Sequence, residues 1–143
     1  MTEFEYETNV TAPPIVFPGQ GPELAYRTAH DFLSRRFPSE ALDVLTPALA
    51  DDPTSTGLRQ LQAWALMLRA QLGPAETVLR GLVEESPDDV WARHALGRVL
   101  ERQSRPDEAL GHLKLAAAMS DDYDHQAAVY RVTRVLEREQ QTD

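Results

Sequence analysis

The chain has no cysteine in its 143 residues, which excludes a disulfide framework and any thiolate metal site. It has a single lysine, Lys114, and every other basic residue is an arginine. Acidic groups outnumber basic ones 23 to 14, and the formal charge of −9 argues against a surface that tracks nucleic-acid phosphates. Long apolar runs are also missing. The longest, Ala63–Leu68, is far too short to span a bilayer, so no membrane insertion is expected. The first residues, Met-Thr-Glu-Phe-Glu-Tyr-Glu, are acidic where a secretory leader is basic and apolar. With cysteine absent, a cytoplasmic location is the expectation. The lone lysine, set beside plentiful alanine and leucine, matches the coding bias of a high-GC bacterial genome. What is present is ordinary: 42% hydrophobic and 26% charged residues, enough to bury one core.

Sliding the chain against itself by 34 residues aligns three blocks without a gap: 22–55, 56–89 and 90–123. Ala41, Ala75 and Ala109 fall in register, followed by Leu45, Leu79 and Leu113, then Ala48, Leu82 and Ala116. In the first half of each block Ala29, Ala63 and Gly97 align, as do Phe32, Leu66 and Leu100. Ala41, Leu45, Ala48 and Leu49 stand at i, i+4, i+7 and i+8, one stripe of an α-helix. A small residue at Ala29 or Gly97 admits a neighbouring helix closely, and a large one at Phe32 or Leu100 fills the remaining gap. Neither helix of a pair can bury its stripe alone, so the pairs must stack.

The punctuation agrees with two helices per block. Pro38, Gly73-Pro74 and Pro106 precede or open the second helices, where proline's fixed φ suits a first turn. Ser86-Pro87-Asp88-Asp89 reads as a helix start with a serine cap and acidic first-turn residues. The patterns predict helices near 22–36, 39–51, 55–71, 74–86, 88–103, 106–119 and 125–139.

These positions resemble the tetratricopeptide repeat family. That pattern asks for a small residue at the eighth place, a large apolar one at the eleventh, alanine at the twentieth, a large apolar one at the twenty-fourth, a small one at the twenty-seventh and proline at the thirty-second. Residues 22–123 meet nearly all of these, with Pro53 and Pro87 at the last place and Asp121 in the third block. The departures are Ala25, Arg59 and Arg93 at the fourth place, Thr28 and Gln62 at the seventh, and the large Leu82. The resemblance implies an all-α fold, a right-handed superhelical solenoid of antiparallel helix pairs. It also implies that the first helix of each repeat lines a concave groove. Carried onto this chain, the groove would hold Tyr26 and His30, with Leu33, from block one, and Gln60, Trp64 and Met67 from block two. Block three would add Trp91, His94, Arg98 and Arg102, with Glu101; the alternative for Trp64 and Trp91 is packing into adjacent helices or under the N-terminal segment. The family's clamp for chaperone C-termini has lysine and asparagine where this chain has Tyr26 and His30, so that co-chaperone role is not expected.

Both ends lie outside the repeats. Residues 1–21 form an arm: Phe4, Tyr6, Thr8 and Val10 alternate with Glu3, Glu5, Glu7 and Asn9, the period of an extended peptide. Pro13, Pro14 and Pro18 with Gly19 and Gly21 exclude a helix over 12–21. The arm is either a frayed terminus or a segment that docks on a groove. Residues 124–143 supply a capping helix whose apolar stripe is Ala128, Val132, Val135 and Leu136. Its arginines Arg131, Arg134 and Arg138 read as a solvated face paired with Glu137 and Glu139.

No catalytic constellation, cofactor site or metal site is expected. Of the four histidines, His30, His94, His112 and His125, His112 has Glu108 four residues before it, read as an exposed helix pair. Asp51-Asp52, Asp88-Asp89 and Asp121-Asp122 recur once per repeat at the turns, which marks capping and not acid–base chemistry. The expected function is a non-enzymatic protein-interaction scaffold, adaptor or chaperone-like, that binds another protein's extended peptide or helix. The alternative is a homo-oligomerisation module joined through repeat ends or a swapped arm.

Overall fold

The computed structural model describes residues 10–13 and 23–142. Seven helices account for almost all of the second stretch: α1 Glu23–Ser34, α2 Pro38–Asp51, α3 Thr56–Leu68, α4 Leu72–Glu85, α5 Val90–Arg102, α6 Pro106–Ala118 and α7 Tyr123–Gln141. None of the described residues is in a strand, and none of the described helices is long and apolar enough to cross a membrane. Phe4, Tyr6 and Thr8 of the alternating arm lie outside the described residues.

The 34-residue period is written into the backbone. Second helices begin at Pro38, Leu72 and Pro106, and first helices at Thr56 and Val90. Between the helices of each pair a non-glycine residue takes a left-handed conformation: Arg36 at φ 64°, Ala70 at 57° and Ser104 at 59°. Each is followed by a hydrogen bond reaching back five residues, Phe37 N–H to the Phe32 carbonyl, Gln71 to Leu66 and Arg105 to Leu100. This is the Schellman closure, which satisfies the last carbonyls of a helix and turns the chain for the next one.

The helix starts are capped by side chains. Ser55 Oγ accepts from the Leu58 amide at 3.3 Å, and Asp89 Oδ1 accepts from Ala92 at 3.0 Å. Asp122 Oδ1 accepts from Asp124 at 2.9 Å. Two of the three recurrent acidic pairs therefore cap as the spacing predicts, and Asp52 instead follows the end of α2. Ser86 is not the cap of α5: the chain needs a turn through Pro87 and Asp88 first, and Asp89 takes that place.

The residues fall into two compact units, the first ending at Val78 and the second starting at Leu79. The division lies inside α4. In the first unit α1 packs on α2, α2 on α3 and α1 on α3; in the second α5 packs on α6, α6 on α7 and α5 on α7. Each unit is thus one helix pair closed by the next helix. The aligned stripe of the second helices is buried throughout: Ala41, Ala75, Ala109, Leu45, Leu79 and Leu113 have no exposed surface.

The first helices differ from the expected register in two blocks. Phe32 and Leu66 are only half-buried, while Leu33 and Met67, one residue on, are buried. In the first unit Tyr26, Ala29 and Leu33 form the buried stripe of α1, which packs on both α2 and α3. Tyr26 lies over the bare backbone of Gly57, where an added Cβ would sit 3.1 Å from the ring, and Leu33 follows Tyr26 on the same stripe at i+7.

The third block keeps its expected register and packs tighter. A Cβ on Gly97 would fall 2.5 Å from Leu113 Cδ2 and 2.6 Å from its Cγ. Gly97→Ala is therefore expected to cost about 1–3 kcal/mol despite alanine's better helix propensity. Urea unfolding of Gly97→Ala and of Gly97→Ala with Leu113→Val checks this, since the smaller partner should recover most of the loss.

Candidate functional site

In the first unit, Tyr26 and His30 stand one turn apart on α1, and Trp64 projects from α3. Their rings meet: Tyr26 stacks on His30 with centroids 6.2 Å apart, and His30 meets Trp64 edge-on at 5.9 Å. Ser34 Oγ lies 3.4 Å from His30 Nδ1 at the exposed edge of the cluster. Trp64 retains 8% of its surface and Tyr26 9%, whereas His30 is half-buried. Gln60 and Met67, on the same helix as Trp64, retain 3% each. From Gly57 to Leu68 no residue of α3 is exposed. Its buried positions Gln60, Trp64 and Met67 share one side, while Arg59, Gln62 and Leu66 on another side are half-buried.

The second unit contributes Trp91, His94, Arg98 and Arg102, all on α5. Trp91, His94 and Arg98 are buried, and Arg102 is half-buried. α7 supplies polar partners to this face. His94 and His125 lie ring on ring, 4.2 Å between centroids. Glu101 is a fork between two guanidinium groups: Arg131 Nε and Nη2 donate to its two oxygens at 2.5 and 2.9 Å, and Arg98 Nε stands 3.5 Å away. Arg131 is thus tied to α5 and is not part of a row paired with Glu137 and Glu139. Among the described residues Arg134 approaches Glu137, at 3.9 Å. Tyr130, Arg131, Arg134, Val135 and Arg138 outline a shallow surface depression on α7.

Electrostatics follow from burial. Desolvation, reinforced by His125 and Arg98, pushes the His94 imidazole down to about 3. Burial also lowers the Arg98 guanidinium, with Arg131 adding repulsion and Glu101 opposing it. The hydrogen bond that Arg131 donates to Glu101 raises the Arg131 guanidinium. Because the folded pKa of His94 lies below its unfolded value of 6.5, the fold holds the neutral ring. Nothing is lost above pH 6.5, and stability falls as the pH drops from 6.5 toward 3. The loss is about 1.4 kcal/mol per pH unit, or about 2 kcal/mol at pH 5. Urea midpoints at pH 7 and pH 5 should show it in the wild type, and His94→Phe, which keeps an aromatic ring against His125, should lack that share.

Outside these clusters, Glu108 bonds Arg105 and Arg80, and its charge also acts on His112 four residues on. His112 faces Arg93, with 3.4 Å between nitrogens, and burial and that cation lower its pKa. Ser120 Oγ lies 2.6 Å from His125 Nδ1, while Asp122 stands 3.9 Å from Nε2. The serine hydroxyl and the aspartate carboxylate also accept the Asp122 and Asp124 amides, so the trio serves the start of α7 and lacks the close carboxylate–imidazole bond of a nucleophilic triad. Among the described residues no group of three histidine, aspartate or glutamate side chains is placed to hold a metal. The sequence carries little hint of the His94–His125 and Glu101–Arg131 contacts, which join residues about thirty positions apart. The one legible signal is that His94, Arg98 and Glu101 form a polar stripe on α5 that needs a polar stripe opposite.

No protein-family model matches the chain, and no curated protein matches it in sequence. Solved structures do match. The first TPR domain of human RPAP3 superposes with a TM-score of 0.75 at 14% identity, over 84% of this chain and 95% of that one. The TPR domain of Arabidopsis OM64 gives 0.74 at 16% identity, over 78% and 93%. MamA AMB-1 gives 0.69 at 19% identity, over 82% of this chain and 64% of its own length. Helix pairs at a 34-residue period among the described residues, with this superposition, make the fold that of tetratricopeptide-repeat domains.

Proposed function

We propose that the chain is a non-enzymatic interaction scaffold that holds an extended segment of a protein partner against the first helices of its repeats, in an adaptor or chaperone-like role. The carrying observation is the Tyr26–His30–Trp64 cluster, three aromatic rings bridging α1 and α3 with the half-exposed imidazole at the centre. Aromatic rings offer large rigid contact area at low entropic cost, and tryptophan and tyrosine dominate interface hot spots. The net charge of −9 turns the reading away from nucleic acid and toward protein.

A second reading has its own observation. The second unit exposes Leu115 at 49%, Met119 at 40%, Tyr123 at 81% and Tyr130 at 66%, apolar surface suited to a second copy. Light scattering across a hundredfold concentration range separates the two. A constant 16.0 kDa is expected from the scaffold, and twice that mass from self-association.

A further inference from the structure

We propose that Val10–Pro13 of the chain's own arm is seated on the aromatic cluster of the first unit as a built-in ligand, and that the partner is an extended peptide of the same chemistry. This rests on the scaffold reading above and names both the ligand class and its regulation. The segment is not helical, yet Val10 retains only 7% of its surface and Pro13 is buried, while Thr11 and Ala12 between them are exposed. That is the spacing of a polyproline II helix, in which residues i and i+3 share a face. Four residues outside any helix bury two apolar side chains only by lying along a surface that welcomes them.

The first unit offers such a surface where α1 and α3 meet. Gln60, Trp64 and Met67 share one side of α3, turned away from Leu58, Leu61 and Ala65 in a helical projection. All three are buried with no partner protein present. Proline-containing segments dock against aromatic-lined grooves because the extended conformation is preformed and the ring stacks on flat side chains. Tyr26, His30 and Trp64 provide those flat faces. The segment Val-Thr-Ala-Pro-Pro, residues 10–14, supplies the apolar residue, the spacing and the prolines.

A tethered segment works at an effective concentration on the order of millimolar, so weak intrinsic affinity suffices to occupy the site. A partner must then displace it, which lowers apparent affinity by the fraction of time the site is free. The device makes the scaffold selective for partners that outcompete its own arm.

The test uses the full chain and a fluorescent synthetic peptide of residues 8–15, followed by anisotropy. Val10→Asp with Pro13→Gly should empty the site and bind the peptide at least about tenfold more tightly than the wild type does. Val10→Ser alone, a milder change outside every helix, should fall between. His30→Glu added to the first variant should abolish the gain. Equal affinity for wild type and variants, or no binding by any of them, overturns the proposal. A protein partner that requires His30 but is indifferent to residues 10 and 13 also overturns it, and that outcome leaves the scaffold reading standing.

Discussion

Glu101→Gln is expected to destabilise the chain by about 3–5 kcal/mol, the cost of leaving a buried charge without its counter-ion. Arg98 has 7% of its side-chain surface exposed and Glu101 18%. Removing the carboxylate charge leaves Arg98 with the repulsion of Arg131 and Arg102 and the smaller attraction of Asp124. The bidentate Arg131–Glu101 pair also tethers α7 to α5. Arg131 is 39% exposed, so its own share is screened by solvent, and Arg131→Met should cost only about 1 kcal/mol. The double variant Arg98→Met with Glu101→Gln removes the buried Arg98 charge together with its partner and should regain much of the loss, because an apolar side chain of similar length needs no counter-ion. Urea unfolding of the three variants decides it. A Glu101→Gln protein within 1 kcal/mol of wild type would mean that Arg98 is solvated in its folded setting.

Pro47→Ala should raise stability by about 2–3 kcal/mol. Pro47 stands at the tenth position of the fourteen-residue α2 and is exposed, so its ring contributes little packing. It cannot donate to the carbonyl of Asp43, and its ring crowds that same carbonyl, a penalty near 3 kcal/mol in a helix interior. Thr46 next to it donates its hydroxyl to the Leu42 carbonyl at 2.8 Å, a side-chain bond of the kind found where helices bend. Alanine restores the backbone bond and adds propensity. Thermal unfolding checks it: a melting temperature unchanged or lowered in Pro47→Ala would show that the helix bends there for a packing reason.

Second helices were far more legible in the sequence than the faces of the first helices. Ala41, Leu45, Ala48 and their copies at 34-residue intervals repeat one buried stripe, and that single period suffices to locate them. In the first helices the rule that finds Leu100 misplaces full burial onto Phe32 and Leu66, because the next residues, Leu33 and Met67, take the buried positions. Pro38 and Pro106 mark helix starts because φ at N1 is local chemistry. The turns at Arg36, Ala70 and Ser104 were silent, since none carries the glycine that announces a left-handed residue.

The candidate site was legible as a set of residue types and not as an arrangement. Tyr26, His30 and Trp64 stand at periodic places on two helices, and the structure brings their rings together. His94 and Arg98 were placed on the same expected surface, but His94 meets His125 of α7 and Arg98 meets Glu101. Nothing local to α5 tells whether a later helix will cover it. Val10 and Pro13 illustrate the same limit: their alternation and proline content say extended, and only their burial says that something receives them.

The scaffold reading is tested most directly by affinity capture from native cell extract with the full chain as bait, beside a His30→Glu bait of matched circular dichroism. His30 is half-exposed, so the substitution spares the core while placing a carboxylate amid the aromatic rings. The account predicts a protein retained by the wild type and at least about tenfold depleted on His30→Glu, a loss of about 1.4 kcal/mol. Two baits that retain the same proteins in the same amounts would contradict it.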